Sequence, residues 1–133
     1  MNDDVCFYPF SPDDKKDDGS WAFDLETIPF PSGFSPSMRF VAYLTPGKVG
    51  GNHRHPRTEV FLGIGEGLEF VWIDKEGKKQ SKKMNTGGKL MLVMVSPFVP
   101  RAVANHCEKE SAVLLEFADA ALESEEKVEV ISA

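Results

Sequence analysis

The stretch His53-Arg54-His55-Pro56-Arg57-Thr58-Glu59 places two imidazoles and a carboxylate within seven residues. In an extended strand alternate side chains share a face, so positions 53, 55 and 59 are expected to project together. Two neutral imidazole nitrogens and one anionic oxygen form a ligand set for zinc or non-haem iron, with positions left open for substrate. The same three residues could instead serve as acid–base groups in a metal-free pocket, because imidazoles titrate near neutral pH.

The elements that must position these groups read as strands. Arg39 to Thr45 is a β-rich run ended by Pro46-Gly47, and His53 to Ile64 is the next, with Pro56 requiring an edge or a bulge. Leu68 to Asp74 and Lys79 to Met84 flank the tight turn Lys75-Glu76-Gly77-Lys78. Leu90 to Val95, Val99 to Asn105 and Ala112 to Phe117 complete the series. Short strands at regular spacing predict an all-β sandwich or barrel and exclude a βαβ fold. Residues 1–38 read as an acidic, Pro-rich N-terminal arm, 39–118 as the β domain, and 119–133 as an acidic tail or short helix, Ala118 to Val128 having the helical propensity.

At 133 residues the chain fits one domain with a core that needs no disulfide staples. With 41% hydrophobic and 27% charged residues it has the composition of a soluble globular protein. No secretory leader is visible, no apolar run is long enough for a bilayer, and Cys6 and Cys107 are the only cysteines, so a reduced, cytoplasmic setting is expected. The net charge of −6 sits at the ends: residues 1–26 hold eight acids and residues 119–133 five, leaving the middle positive. Acidic ends argue against nucleic acid. The lysines at 75, 78, 79, 82, 83 and 89 flank a turn and are expected to be a solvated hairpin that discourages aggregation.

Gly47, His53, His55 and Glu59, at their spacing, resemble the first motif of the cupin superfamily. The glycine that follows that glutamate by seven residues in the family falls here on Glu66, between Gly65 and Gly67. Pro97 to Asn105 is similar to the second motif, with Pro97 and Asn105 matching and Arg101 standing where the family has a histidine. The resemblance covers about residues 39–118. It implies a double-stranded β-helix, the cupin jelly-roll barrel of the RmlC-like type, with an extended N-terminal arm, and a homodimer.

The resemblance further implies a divalent metal (iron, manganese, nickel, cobalt or zinc) on His53, His55 and Glu59. Arg101 and Phe61 would then bind a small, anionic substrate for oxygenase, isomerase or lyase chemistry. A guanidinium has no lone pair to offer, so Arg101 cannot complete the ligand set. Two arrangements follow. Either Arg101 turns aside to grip a substrate anion beside the metal, or it pairs with Glu59, no metal binds, and His53 and His55 act as in the metal-free cupins that isomerise or epimerise nucleotide sugars. A non-catalytic module that binds a small ligand is a further alternative. Arg54 and Arg57 are expected to face outward, Trp72 and Tyr43 to pack in the core, His106 to lie on the surface and Cys107 to be a partly buried structural thiol.

Overall fold

A computed structural model describes residues 4–86, 89–120 and 126–131. In chain order the strands are β1 (Val5–Phe10), β2 (Asp14–Lys15), β3 (Trp21–Ala22), β4 (Met38–Leu44), β5 (Val49–Arg54), β6 (Glu59–Ile64) and β7 (Leu68–Ile73). They continue as β8 (Lys79–Lys83), β9 (Asn85–Thr86), β10 (Lys89–Val95), β11 (Arg101–Asn105), β12 (Ala112–Ala118) and β13 (Glu126–Lys127). One 3-10 turn covers Leu25–Thr27. The strands read from apolar patterning correspond to β4, β7, β10, β11 and β12, and the strand read after the Lys75–Lys78 turn to β8. Of the segment expected to favour a helix, residues 121–125 lie outside the described residues, and Glu126–Lys127 is a strand. Among the described residues no helix is long and apolar enough to cross a membrane.

Three antiparallel sheets form. One runs β1-β10-β6-β12-β4 with β9 beside β10, a second runs β13-β5-β11-β7-β8, and β2 and β3 make a two-stranded ribbon. The expectation of a closed jelly-roll barrel is therefore corrected: among the described residues none of the sheets closes on itself. Alternation reports which face of a strand is buried, and an open pair of facing sheets satisfies the same pattern as a barrel.

The main core lies between the two large sheets. Phe61, Val93, Val95 and Leu114 from the first meet Leu68, Phe70 and Val103 from the second. The opposite face of the first sheet carries Val60, Leu62, Leu92, Leu115 and Phe117, and the segment from Phe23 to Phe34 lies over it. The opposite face of the second sheet is smaller, with Val71 and Ala102 under Val128, Val130 and Ile131. Strands β6 and β12 are therefore apolar on both faces, which explains their near-continuous hydrophobic runs. Strand β1 pairs along all six residues with β10, so the N-terminal segment contributes Phe7 to the main core and Phe10 to the outer layer. Trp72 packs against the core beside Phe7 and Phe70 as expected. Tyr43, expected in the core, stands exposed on the edge strand β4.

At the far end of β11, Asn105 is buried and its amide donates to the carbonyls of Leu44, Thr45 and Glu110, while its oxygen accepts from the Cys107 N–H. Gly67 passes so close that a Cβ there would lie 2.5 Å from the Cys107 nitrogen and 2.7 Å from the Asn105 oxygen. The glycine displaced from its family position at 66 is therefore required by this contact. Replacing Asn105 with Ala leaves three backbone carbonyls without their donor, and Asn105→Asp keeps the shape but removes the same donors. Both variants are expected to lose about 3 kcal/mol in urea unfolding. Equal stability of Asn105→Asp and wild type would show that the amide donors do not matter.

Candidate active site

The segment expected as one strand from His53 to Ile64 is two strands in two different sheets. Pro56 lacks an N–H to give to a ladder, and the chain turns at residues 55–58. His53 thus belongs to β5 in the second sheet and Glu59 to β6 in the first. The His55 carbonyl accepts from the Phe98 N–H at 2.7 Å, tying the turn to the β10–β11 connection, where Phe98 itself adopts φ +68°. The two imidazole rings stand edge to face with centroids 5.8 Å apart. His55 is buried and His53 is half-buried.

Register brings the remaining groups to the same place. On β11, Arg101 sits opposite His53 of β5 and Trp72 of β7. On β12, Glu116 sits opposite Phe61 of β6, and Ala118 opposite Glu59. Between Arg101 and Val103 the pairing with β5 slips, so that three residues of β5 span two of β11. Gly51 and Asn52 form this bulge. Gly51 takes φ +73°, its carbonyl accepts from Arg101 Nη1 at 2.6 Å, and a Cβ there would sit 2.8 Å from that nitrogen. Asn52 turns the other way: its side-chain oxygen accepts from the N–H groups of Val130 and Ile131, fastening the C-terminal segment.

Glu59 is the centre of the cluster. Arg101 donates from Nε to one of its oxygens at 3.1 Å and from Nη2 to the other at 3.1 Å. Arg57 donates to Oε2 from Nε at 3.3 Å and from Nη2 at 3.1 Å. Arg101 reaches Glu116 at 3.3 Å, Arg57 lies 3.7 Å from the same oxygen, and the Arg101 guanidinium rests over the Phe61 ring at 5.1 Å. Arg57, Glu59 and Arg101 are all nearly inaccessible to solvent. Arg57, expected to face outward, is therefore part of the site. It lies on the turn between β5 and β6, two residues from both His55 and Glu59, so outward alternation along one continuous strand did not apply to it.

This donor set does not suit a metal. Both oxygens of Glu59 already accept from guanidinium groups, and among the described residues no group of three His, Cys, Asp or Glu side chains could hold an ion. The expected coordination by His53, His55 and Glu59 is thus corrected: the carboxylate's lone pairs and its negative charge are engaged by two arginines. Of the two arrangements read from the sequence, the Glu59–Arg101 pair is the one that forms. Outside the cluster, His106 is exposed beside Glu69 at 3.0 Å, and the Cys107 sulfur is half-buried, accepting from the Glu110 N–H at 3.4 Å.

Glu116 had no role in the sequence reading. The signal was present: a single acid in the otherwise apolar run Ala112 to Ala118, on the inward-facing side with Leu114. Burial, a hydrogen bond to Glu59 and the Glu59 charge push its carboxyl up to about 7, against the pull of Arg101 and Arg57. For Glu59, burial alone would raise the carboxyl, but Arg101, the hydrogen bond from Glu116, and the charges of His55 and Arg57 outweigh it and hold it below the usual range. The pair behaves as one carboxylate and one carboxylic acid.

No family model and no curated protein matches the chain. Solved structures do. The sugar 3,4-ketoisomerase QdtA from Thermoanaerobacterium thermosaccharolyticum, in complex with TDP, superposes with a TM-score of 0.65 at 16% identity, covering 97% of this chain and 91% of its own. A histidine-to-asparagine variant of that enzyme is known in complex with TDP-4-keto-6-deoxyglucose. A dTDP sugar isomerase from Desulfovibrio desulfuricans gives a TM-score of 0.69 at 13% identity, covering 93% of this chain and 83% of that one. The capsular polysaccharide assembling protein CapF from Staphylococcus aureus gives 0.62 at 15% identity, covering 98% of this chain and 33% of CapF. The fold is that of the RmlC-like cupins. The resemblance carried by Gly47, His53, His55 and Glu59 holds for this chain at the level of fold, with sheets that stay open among the described residues.

The carboxyl pair of Glu59 and Glu116 makes the protein's stability depend on pH. Glu116 binds its proton more tightly folded, at about 7, than at the ordinary value of 4.5. The folded state therefore holds the extra proton between those values, and stability falls as pH climbs through that window. Glu59 runs the other way, its contribution being present above the ordinary carboxylate range and lost in acid. Thermal unfolding between about pH 5 and pH 8 should show a falling midpoint that Glu116→Gln abolishes. The same slope in both proteins would remove Glu116 as its source.

Proposed function

We propose that this protein is a metal-free isomerase or epimerase of nucleotide-linked keto sugars, with His53 and His55 as its proton-transfer pair. The observation that carries this reading is the saturation of Glu59 by Arg57 and Arg101, 5.8 Å-spaced imidazoles standing beside it. The fold shared with QdtA and the Desulfovibrio isomerase supports the substrate class.

The chemistry needs neither oxidant nor cofactor. One imidazole takes the proton from the carbon next to the sugar carbonyl, and the electron pair of that C–H bond moves to leave an enediolate. Return of a proton to the same carbon from the opposite face gives an epimer. Protonation at the former carbonyl carbon, with transfer of the neighbouring hydroxyl's proton to the former carbonyl oxygen, moves the ketone by one position. Histidine suits both halves because its pKa lies near the working pH.

The buried cluster has a net positive charge while Glu116 keeps its proton: two guanidinium groups against one carboxylate. That charge, held in a low-dielectric space, favours the developing enediolate and a phosphate-bearing substrate. In this reading Arg101 and Phe61 form the floor on which the histidines and the substrate rest. Arg101 spends its donors on Glu59, Glu116 and Gly51, so its contribution to the substrate is its field.

The test is exchange of solvent deuterium into TDP-4-keto-6-deoxyglucose, followed by NMR and mass spectrometry, with and without exhaustive chelation. Deuterium incorporation that survives chelation and drops by about 100-fold or more in His53→Asn or His55→Asn is expected. Exchange that stops on chelation and returns with added metal would overturn the metal-free reading. Binding of the sugar without any exchange would instead identify a ligand-binding module.

A further inference from the structure

Moving a ketone along a sugar needs a proton carried between two oxygens as well as between two carbons. The carbonyl oxygen must gain a proton and the hydroxyl beside it must lose one. A single group can do both if it holds a donor and an acceptor side by side, as a carboxylic acid does. The two nitrogens of an imidazole lie on separated edges of its ring, and the imidazoles already serve the carbons.

Three of the four charged groups in the cluster lack that combination. Arg57 and Arg101 carry donors only, with no lone pair to accept. Glu59 is held ionised, and both its oxygens accept from guanidinium groups. Glu116 differs in protonation and in position. Its carboxyl is raised to about 7, so up to neutral pH it offers one O–H and one carbonyl oxygen. Its side chain is 17% exposed, against 3% for Arg57 and Glu59 and 4% for Arg101, so it is the member of the cluster that reaches open space.

Strand β12 accounts for that position. Leu114 packs in the main core, and two residues on, along the same face, stands Glu116, opposite Phe61 on β6 and Phe40 on β4. The inner face of β12 therefore passes from apolar core to ion cluster between these two residues. Arg101 ties the acid to the imidazoles: it donates to Glu116 at 3.3 Å and sits opposite His53 in the β5–β11 register. His55 is near enough for its charge to lower the carboxyl of Glu59, which is hydrogen-bonded to Glu116.

We infer that Glu116 shuttles the proton between the two sugar oxygens, a third catalytic residue beside His53 and His55. This rests on the isomerase reading above and makes ketone migration, not epimerisation, the reaction the site serves. As an imidazole takes the proton from the hydroxyl-bearing carbon, that C–H pair becomes the carbon–carbon double bond. The carbonyl pair moves to its oxygen, and Glu116 gives that oxygen its proton. The Glu116 carboxylate then takes the proton of the neighbouring hydroxyl with its other oxygen. The new carbonyl forms there, and the double-bond pair takes the imidazolium proton at the former carbonyl carbon. Imidazole and carboxylic acid end as they began, so no co-reactant is consumed. Arg57 and Arg101 stabilise Glu116 while it is ionised, and Glu59 keeps four hydrogen bonds when the Glu116 proton turns from it to the substrate.

The experiment follows two events with TDP-4-keto-6-deoxyglucose in deuterated water. Mass spectrometry reads deuterium entering the hydroxyl-bearing carbon beside the ketone, and NMR reads migration of the ketone. In Glu116→Gln, which keeps the size and an acceptor for Arg101, migration should fall by about 100-fold or more while exchange stays within about tenfold of wild type. Glu116→Asp, still a carboxylic acid, should migrate the ketone faster than Glu116→Gln. Equal losses of exchange and migration in Glu116→Gln would assign Glu116 to the fold alone, and unchanged migration would remove it from the reaction; either result overturns the shuttle. A wild type that exchanges without migration would also overturn it, leaving the histidine pair as an epimerase. A wild type that does neither would overturn the isomerase reading itself, and the shuttle with it.

Discussion

One buried carboxylate held by two guanidinium groups organises this structure. Glu59 is on the first sheet, Arg101 on the second, and Arg57 on the turn that passes between them. Removing a carboxylate from water costs several kcal/mol, and only close, well-oriented countercharge offsets it. The offset here takes four hydrogen bonds from two arginines, one on the second sheet and one on the turn between the sheets. The ion cluster therefore fixes how the sheets face one another at this end, where the apolar core alone, being non-directional, would tolerate sliding.

The requirement propagates outward through the backbone. Arg101 can reach Glu59 only if its third nitrogen is satisfied elsewhere, and the Gly51 carbonyl does that from inside the β5 bulge. A bulge with φ +73° at Gly51 leaves Asn52 unpaired with β11, and it holds the C-terminal segment by three side-chain hydrogen bonds and a backbone bond from Val128. The same irregularity that supports the arginine thus supplies the cover for Val71 and Ala102 on the outer face. At the other end of β11, Asn105 and Gly67 play a purely structural part, closing the loop ends against each other.

Much of this was legible in the sequence, for identifiable reasons. Alternating apolar residues report burial directly, so β4, β7, β10, β11 and β12 could be read from their patterns. The substitution of Arg101 for a histidine announced the ion pair as one of two arrangements. What could not be read was anything set by two sheets meeting. Closure of a barrel depends on edges, and nothing in a strand's alternation says whether its sheet returns on itself. Pro56 marked a break but did not say that His53 and Glu59 would end in different sheets. Glu116 was passed over because an acid in a strand reads as solvent-facing, and only its inward parity with Leu114 argued otherwise.

The charges of the cluster also explain how a site with ligand-like spacing is built without ligands. In the metal-binding arrangement that the cupin motif implies, a divalent ion supplies two positive charges to the carboxylate. Here Arg57 and Arg101 supply the same two, fixed to the backbone. A metal responds to pH through its bound water and its ligands, whereas guanidinium groups do not titrate in proteins. The titration is displaced onto the next group, and Glu116, with its carboxyl raised to about 7, becomes the group whose charge changes near neutrality. Holding its proton leaves the cluster with one positive charge in excess; losing it makes the cluster neutral. The charge of the cluster beside the imidazoles is therefore set by Glu116, through the oxygen that Arg101 and Arg57 share.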